Sequence, residues 1–449
     1  MGNIIYKVHR GGKKHPSWTD SAIIYEFNTR QFTVDGTFRA AMEHLPRLKE
    51  LGVDILWMMP IFPIGNERRK GTLGSYYSIE DNTAVNDEFG TMKDFCNFVA
   101  EAHNLGMYVI LDWVSNHTAR DARWITEHPE WFEWDAEKNE FATPFDWSDT
   151  AKLNYQSEEM RTEMIKSMAF WLKKAKIDGF RCDMAMLVPM EFWHRATKEL
   201  TKVAEGLGKE LFMLAESEGP EFHDAFDATY SWEEHHLMNK IAKGEANCYT
   251  LGERLAYESS IYDESALRMH FTSNHDENSW NGSSITRMGD GAETFAALTF
   301  ILSGMPLIYT GQEVGQARQL EFFDRDTIDW INLSSNKRGQ AIERLYKGLC
   351  DLKHSHPALL AGEKGGDIVG IDNNVSWQMF AVKRRVGAKT VIALFNLGDS
   401  PVEARFEDKD FSGKYKEMLW KGAKSSANVE LSCEQTYSFK AWEFRILYR

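Results

Sequence analysis

The sequence has no stretch near the ~18 consecutive apolar residues that a membrane-spanning helix needs, so no membrane partner is expected. Cysteine is scarce and scattered: the five residues Cys96, Cys182, Cys248, Cys350 and Cys433 form no CxxC pair and no close cluster. That dispersion excludes a zinc knuckle and gives no disulfide framework; it suits free thiols in cores and a reducing compartment. An excess of positive charge is also missing. Asp and Glu number 67 against 52 Lys and Arg, for a net charge of -15, a field that repels a phosphate backbone. Nucleic acid is therefore not an expected partner. The one dense basic run, Arg68-Arg69-Lys70, is short and lies between elements, and it reads as solvated surface charge. There is no internal repeat and no low-complexity segment. Residues 1–14 contain no apolar core of a signal peptide. A cytoplasmic location is the expectation for the chain as it stands, and a periplasmic or secreted one if a leader has been removed.

What is present is an ordinary globular composition, 43% hydrophobic and 27% charged over 449 residues, enough chain for a large domain and a smaller one. From about residue 21 to 329, short β-branched or apolar runs alternate with longer amphipathic stretches, the rhythm of parallel strands joined by crossover helices. The runs at 22–26, 53–57, 108–112, 177–183, 211–215, 225–230, 267–272 and 306–309 read as strands. Helices are expected at 38–51, 91–105, 158–175 and 340–353. Eight such units suit a closed α/β barrel, a (β/α)8 TIM barrel, better than an open sheet. Two interruptions break the rhythm. Residues 114–156, rich in Trp, Asp and Glu, form a connection too long to be a plain linker. From about 362 the pattern becomes alternating runs, such as 375–380 and 391–395, separated by glycine turns, which reads as an all-β sandwich. The expected organisation is an N-terminal extension over 1–20, a barrel in two parts over 21–113 and 157–361, an inserted domain over 114–156, and a C-terminal β-sandwich over 362–449.

In a parallel barrel, side chains from different strands meet at the C-terminal rim, so reactive groups are sought where strands end. Arg181 and Asp183 close the fourth strand, on one face by alternation, with Phe180 and Cys182 on the other. An Arg two residues from an Asp holds the carboxylate ionised and aims it. The apolar fifth run stops at Glu216, and a partly desolvated Glu facing another carboxylate keeps its proton, as a general acid needs. Asp276 follows the seventh strand. Two carboxyl groups roughly 5–5.5 Å apart are what a retaining glycoside cleavage requires. Taken singly, each acid is more often a helix cap or a salt-bridge partner, and Glu218 competes with Glu216. His235-His236 looks like a metal pair, but adjacent residues point apart, and a solvated or capping role is expected. Trp113, Trp124, Trp131, Trp134, Trp147 and Trp280 are candidate sugar platforms, although packing of the insert is the plainer role for each.

Together the segments resemble the α-amylase family, glycoside hydrolase family 13. Asp112-Trp113-Val114-Ser115-Asn116-His117 resembles its strand-three motif, Gly179 to Asp183 the strand-four motif, Glu216 the strand-five position and His275-Asp276 the strand-seven pair. The stretches GVDILWMMP at 52–60, GMPLIYTGQEVG at 304–315 and Lys152-Leu153-Asn154 resemble the remaining motifs, in the family's order. The resemblance implies Asp183 as nucleophile, Glu216 as acid/base and Asp276 as the carboxylate that binds sugar hydroxyls. It implies Arg181 as the group orienting Asp183, His117 and His275 as hydrogen-bond partners of the sugar, and Tyr77 as a stacking ring. The implied substrate is an α-1,4-linked glucan or maltooligosaccharide, with transglycosylation through the same intermediate as the alternative. Met186-Leu187 stands where many α-amylases carry Lys-His, which removes groups that bind the leaving-side glucose. The Lys152-Leu153-Asn154 signature is closest to neopullulanases and cyclomaltodextrinases. No cofactor is required for the chemistry. Asn116 matches a calcium ligand of many members, which leaves a structural calcium open, while residues 28–38 lack the aspartate-rich calcium loop of others. Oligomeric state is not legible.

Overall fold

The computed structural model describes residues 4–6, 14–262, 265–422 and 424–449, so parts of the 1–20 extension lie outside the described residues. Eight parallel strands close into a barrel in chain order: β1 (Ile24–Phe27), β2 (Ile55–Met58), β3 (Tyr108–Val114), β4 (Gly179–Asp183), β5 (Phe212–Ala215), β6 (Ala228–Tyr230), β7 (Leu267–His270) and β8 (Met305–Tyr309). Strand alternation sorts the side chains into two cores. Ile24, Ile55, Trp57, Ile110, Leu214, Tyr230 and Met269 fill the barrel interior. Tyr25, Leu56, Leu111, Phe180, Cys182 and Met213 face the helices outside. On the inner face of β1 and β3, Ile24 is followed by Glu26 and Ile110 by Asp112, so the barrel's apolar filling ends in a layer of buried charge.

Register sets the height of that layer. β3 and β4 pair from Ile110 with Gly179 to Val114 with Asp183. β5 pairs Phe212 with Gly179 through Ala215 with Cys182, and the Glu216 amide then donates to the Cys182 carbonyl at 2.9 Å. Glu216 therefore emerges beside Asp183 at the same rim. Gly179 opens β4 because nothing larger fits: a Cβ there would lie 1.8 Å from the Phe212 carbonyl oxygen.

The helix over Met92–Asn104 begins in a capping box, in which Thr91 accepts from the Asp94 amide and Asp94 accepts from Thr91. The single helix expected over 38–51 is instead two, Phe38–Met42 and Leu45–Leu51. Pro46 at the start of the second has no N–H to continue the ladder, and the helix restarts there. Within the long connection after β3, His117–Ala119 pairs antiparallel with Thr150–Lys152 and a small hairpin joins Trp134–Asp135 to Glu140–Phe141.

The C-terminal region is an all-β unit. Its main sheet contains β9 (Ile368–Gly370), β10 (Met379–Val386), β11 (Lys389–Asn396), β13 (Gly413–Met418), β14 (Ser426–Leu431) and β16 (Phe444–Tyr448), while β12 (Val402–Ala404) pairs with β15 (Tyr437–Phe439) in a second layer. A strand from the N-terminal extension, Ile4–Tyr6, adds to the edge at β9. Alternation again divides the sheet: Phe380, Val382, Val391 and Phe395 pack on the barrel side, and Met379, Ala381, Ile392 and Leu394 face the second layer. The run at 375–380 is not a strand throughout. Asn373 Oδ1 accepts from the Val375 amide at 3.0 Å, and this side-chain turn holds the backbone out of the sheet until Met379. Among the described residues no helix is long and apolar enough to cross a membrane. The cysteines are free; Cys182, Cys248 and Cys350 are buried, and Cys433 is exposed.

Gly179→Ala tests whether the rim depends on close approach at the base of β4. Overpacking costs about 1–3 kcal/mol, so the variant is expected to show a lowered Tm and reduced soluble yield. A Tm equal to the parent's would contradict this packing.

Candidate active site

The site is organised around Arg181, fully buried at the end of β4. Its Nη1 donates to Asp112 Oδ1 at 2.9 Å and to Asp183 Oδ1 at 3.1 Å. Its Nη2 lies 2.8 Å from Glu216 Oε2, an ion pair off the line of a hydrogen bond. Nε donates to Tyr230 Oη at 3.0 Å, and the guanidinium faces the Trp57 ring at 4.9 Å. One cation thus touches three carboxylates from three neighbouring strands. Asp112 is fully buried and also accepts from Trp57 Nε1 at 3.1 Å and Tyr77 Oη at 2.9 Å.

Asp183 and Glu216 are both nearly buried at the floor of a cavity of about 340 Å³. Burial, and then the charge of Glu216, push Asp183 well above the ordinary carboxylate range, while Arg181 opposes both. Asp112 is committed to three donors, and Asp183 and Glu216 are left side by side against the same guanidinium. The Met184 amide donates to Glu216 Oε2 at 2.8 Å. Met184 makes this bond from a left-handed conformation, φ 42° and ψ 46°, which turns the chain away immediately after Asp183.

A second relay starts at Glu26 on β1. His275 Nδ1 meets Glu26 Oε1 at 2.5 Å, and His275 Nε2 lies 2.8 Å from Tyr77 Oη and 3.3 Å from Asp276 Oδ2. Burial alone would depress His275, but Asp276 and Glu26 outweigh it and push the imidazole up to about 9. Burial pulls Glu26 upward against His275; with an N–H donor at 2.5 Å, the ion-paired state is the one we assign. A charged His275 donates from both nitrogens, so Tyr77 Oη accepts from it and passes its own proton toward Asp112. His117, by contrast, is pushed down to about 4 by burial and stays neutral.

Six of the residues singled out in the sequence, Tyr77, His117, Asp183, Glu216, His275 and Asp276, line this one cavity, and Arg181 lies directly beneath it. Asn116 does not line it: its Nδ2 faces His117 Nδ1 at 3.3 Å and its carbonyl accepts from the Leu153 amide. Glu218 turns away toward Arg268 and Arg254 on the outside of the strands and does not line the cavity. His235 is not solvated; it is buried against Phe271 at 4.6 Å between rings and paired with Glu277 at 3.1 Å, while His236 is exposed.

Sequence reading missed several groups. Lys70 is not solvated surface charge: it lines the cavity and pairs with buried Asp149 at 3.2 Å. Phe322 also forms its wall, and Trp147 and Trp280, two of the platforms expected from the sequence, stand there too, whereas Trp113, Trp124 and Trp131 are buried packing residues. Glu26 carried the same signal as Glu216, an acid ending an inward-facing strand. Lys70 and Phe322 carried none, because their loops have no period.

The family model described as alpha amylase, catalytic domain, matches residues 20–131 and 126–347. The chain is 28% identical over 405 residues to an alpha-amylase of Haloarcula japonica, a match covering 86% of this chain and 57% of that protein's length. Among solved structures, an alpha-amylase from Lactobacillus plantarum superimposes with a TM-score of 0.82 at 29% identity, over 96% of this chain and 99% of that one. A noncanonic maltogenic alpha-amylase from Thermotoga neapolitana gives 0.83 at 27% identity, over 95% and 98%.

The His275 relay predicts a pH signature. His275 is raised from 6.5 to about 9, so the stability it contributes is complete below about pH 6.5 and drains away as pH rises through about 9. The Tm difference between parent and His275→Gln should be largest near pH 6 and shrink by pH 10. A difference independent of pH would contradict the charged state.

Proposed function

The chain belongs to the alpha-amylase family, and on that premise we propose that it is a retaining glycosidase that cleaves α-1,4-glucosidic bonds in starch-derived glucans or maltooligosaccharides. The observation that carries this reading is the contact of one buried guanidinium with both Asp183 and Glu216 at a cavity floor that also holds Asp276. Asp183 attacks the anomeric carbon as Glu216 delivers its proton to the departing oxygen; the C–O bond breaks and an ester to Asp183 forms. Glu216, now a base, takes a proton from water, whose oxygen displaces Asp183 and restores the original configuration. Asp276, with 38% of its side chain exposed, receives the hydroxyls of the ring being cleaved, and His275 stands behind it at 3.3 Å. The flat face of Tyr77, held parallel to His275 and Phe322, offers the ring an apolar floor.

A second reading, transfer of the glycosyl group to a sugar acceptor, is favoured by a groove of about 670 Å³ beside Glu216. Its walls include Met186, Val188, Pro189, Met190 and Trp232. An apolar wall there holds an acceptor's sugar face while offering water few partners. Calcium has no part in the proposal. The described trio of converging acids, Glu218, Glu234 and Glu258, lies around Arg268, whose guanidinium already supplies their positive charge, so the trio does not fit a calcium ion.

Incubation with starch, pullulan, maltoheptaose and cyclodextrin, with products resolved over time, tests the reading. Hydrolysis gives only shorter products from maltoheptaose; transfer adds longer ones; no turnover of any of the four would overturn both. Asp183→Ala should abolish turnover with the fold, read by circular dichroism, preserved. Glu216→Gln should slow maltooligosaccharide cleavage by about 10²–10⁴-fold but slow α-glucosyl fluoride far less, because fluoride departs without a proton. Equal losses on both substrates would contradict the acid role.

A further inference from the structure

We propose that Lys70 and Asp149 form a glycone-side subsite, a donor–acceptor pair that grips two neighbouring hydroxyls of the glucose ring adjacent to the one held at Asp183. The inference rests on the glycosidase reading and deepens it by naming what selects the chain on the side away from the leaving group.

Asp149 is 2% exposed and sits in the cavity wall. Its Oδ1 pairs with Lys70 Nζ at 3.2 Å, but its Oδ2 is buried with no hydrogen-bond partner. An unpaired buried acceptor costs about 1–3 kcal/mol, and such atoms are rare where nothing else supplies a donor. In the proposed subsite a sugar hydroxyl supplies that donor once the carboxylate rotates about its Cβ–Cγ bond to present the oxygen to the cavity. Lys70 brings the complementary half: an ammonium has three N–H donors, and the side chain stays partly open to the cavity. Neighbouring hydroxyls each donate one hydrogen bond and accept another, so an ammonium beside a carboxylate matches a vicinal diol. Trp147 stands in the same wall, its ring 5.2 Å from that of His117, and adds an apolar surface for the ring's C–H face.

The side is fixed by the chain. Because Glu216 protonates the departing oxygen in the proposed reaction, the groove beside it, with Met186, Ser217 and Trp232 in its walls, is assigned to the leaving side. Lys70 and Asp149 belong to the loop before Tyr77 and to the insert, which form the other wall.

Nor is Lys70 a loose surface side chain. The Asn66 and Glu67 amides donate to Asp121 at 2.7 and 3.1 Å. Arg120 bridges Glu67 and Glu140 at 3.3 and 3.2 Å. Gly71 turns with φ 61° so tightly against Phe323 that a Cβ would lie 2.5 Å from the Phe323 Cβ. The loop and the insert are thereby locked together on both sides of the pair. An ordinary exposed ion pair is worth about 0–1 kcal/mol and needs no such frame.

The test uses Lys70→Met and Asp149→Asn in the full chain, with kcat/KM measured for maltotetraose and for an aryl α-glucoside that carries a single ring. The same substitutions placed in Glu216→Gln report maltotetraose affinity by calorimetry. The loss of kcat/KM should be at least on the order of tenfold greater for maltotetraose than for the aryl glucoside, and affinity should fall by a similar factor. Equal proportional losses on both substrates, or unchanged maltotetraose affinity, would overturn the subsite. If the parent cleaves neither substrate, the glycosidase reading fails, while the calorimetric result still decides whether the pair binds the sugar. A Tm near the parent's accompanies the expected result; a collapsed Tm in both variants would assign the pair to folding and overturn the proposal.

Discussion

A guanidinium buried at the centre of a barrel has to be neutralised where it stands, and that constraint organises this molecule. Arg181 has lost its water and recovers it through Asp112, Asp183 and Glu216. Desolvating an ion costs several kcal/mol, and removing one partner of a buried pair typically costs 3–5 kcal/mol. The carboxylates are therefore held in place by the cation, with the Met184 amide after Asp183 adding a hydrogen bond to Glu216. Three acids around one cation crowd like charges together, and burial with that crowding raises Asp183. The tension that makes the site costly to fold is the same one that supplies an acid and a base side by side.

The second layer works by a different rule. Glu26, His275, Tyr77 and Asp112 form a chain of short hydrogen bonds beneath the cavity. Each member orients the next, and Asp276, 3.3 Å from His275, faces the opening. The rigid strand ends thus carry the charged groups, whereas the loop before Tyr77 and the insert after β3 carry Lys70, Asp149 and Trp147. Chemistry sits on the part of the fold that register fixes, and selectivity sits on the part that can vary.

That division also explains what was legible in the amino-acid order. The eight strands show as short apolar runs between amphipathic stretches, and acids that end such a run, such as Asp183 and Glu216, stand out because strand alternation states where they point. The split of the helix after Met42 was legible in principle from Pro46, since a missing N–H is a local property. The turn at Asn373 is also local, but the alternation of 375–380 masked it. Lys70 was misread because its neighbours Arg68 and Arg69 make it look like one of a solvated set; only ion pairs with the distant Glu140 and Asp149 separate the three. His235 was misread for the same reason: its partner Glu277 is 42 residues away in the chain, and no spacing rule connects them. Contacts set by tertiary ion pairs have no period and leave no trace in the order of residues.

The account turns on Asp183 as the atom donor that forms the bond to sugar. Trapping with 5-fluoro-α-glucosyl fluoride, followed by peptide mapping by mass spectrometry, tests it most directly. A glycosyl mass on the peptide containing Asp183, and fragmentation that places it on that side chain, is the predicted result. The same mass on Asp276, or on Glu216, would contradict the assignment of roles at the rim.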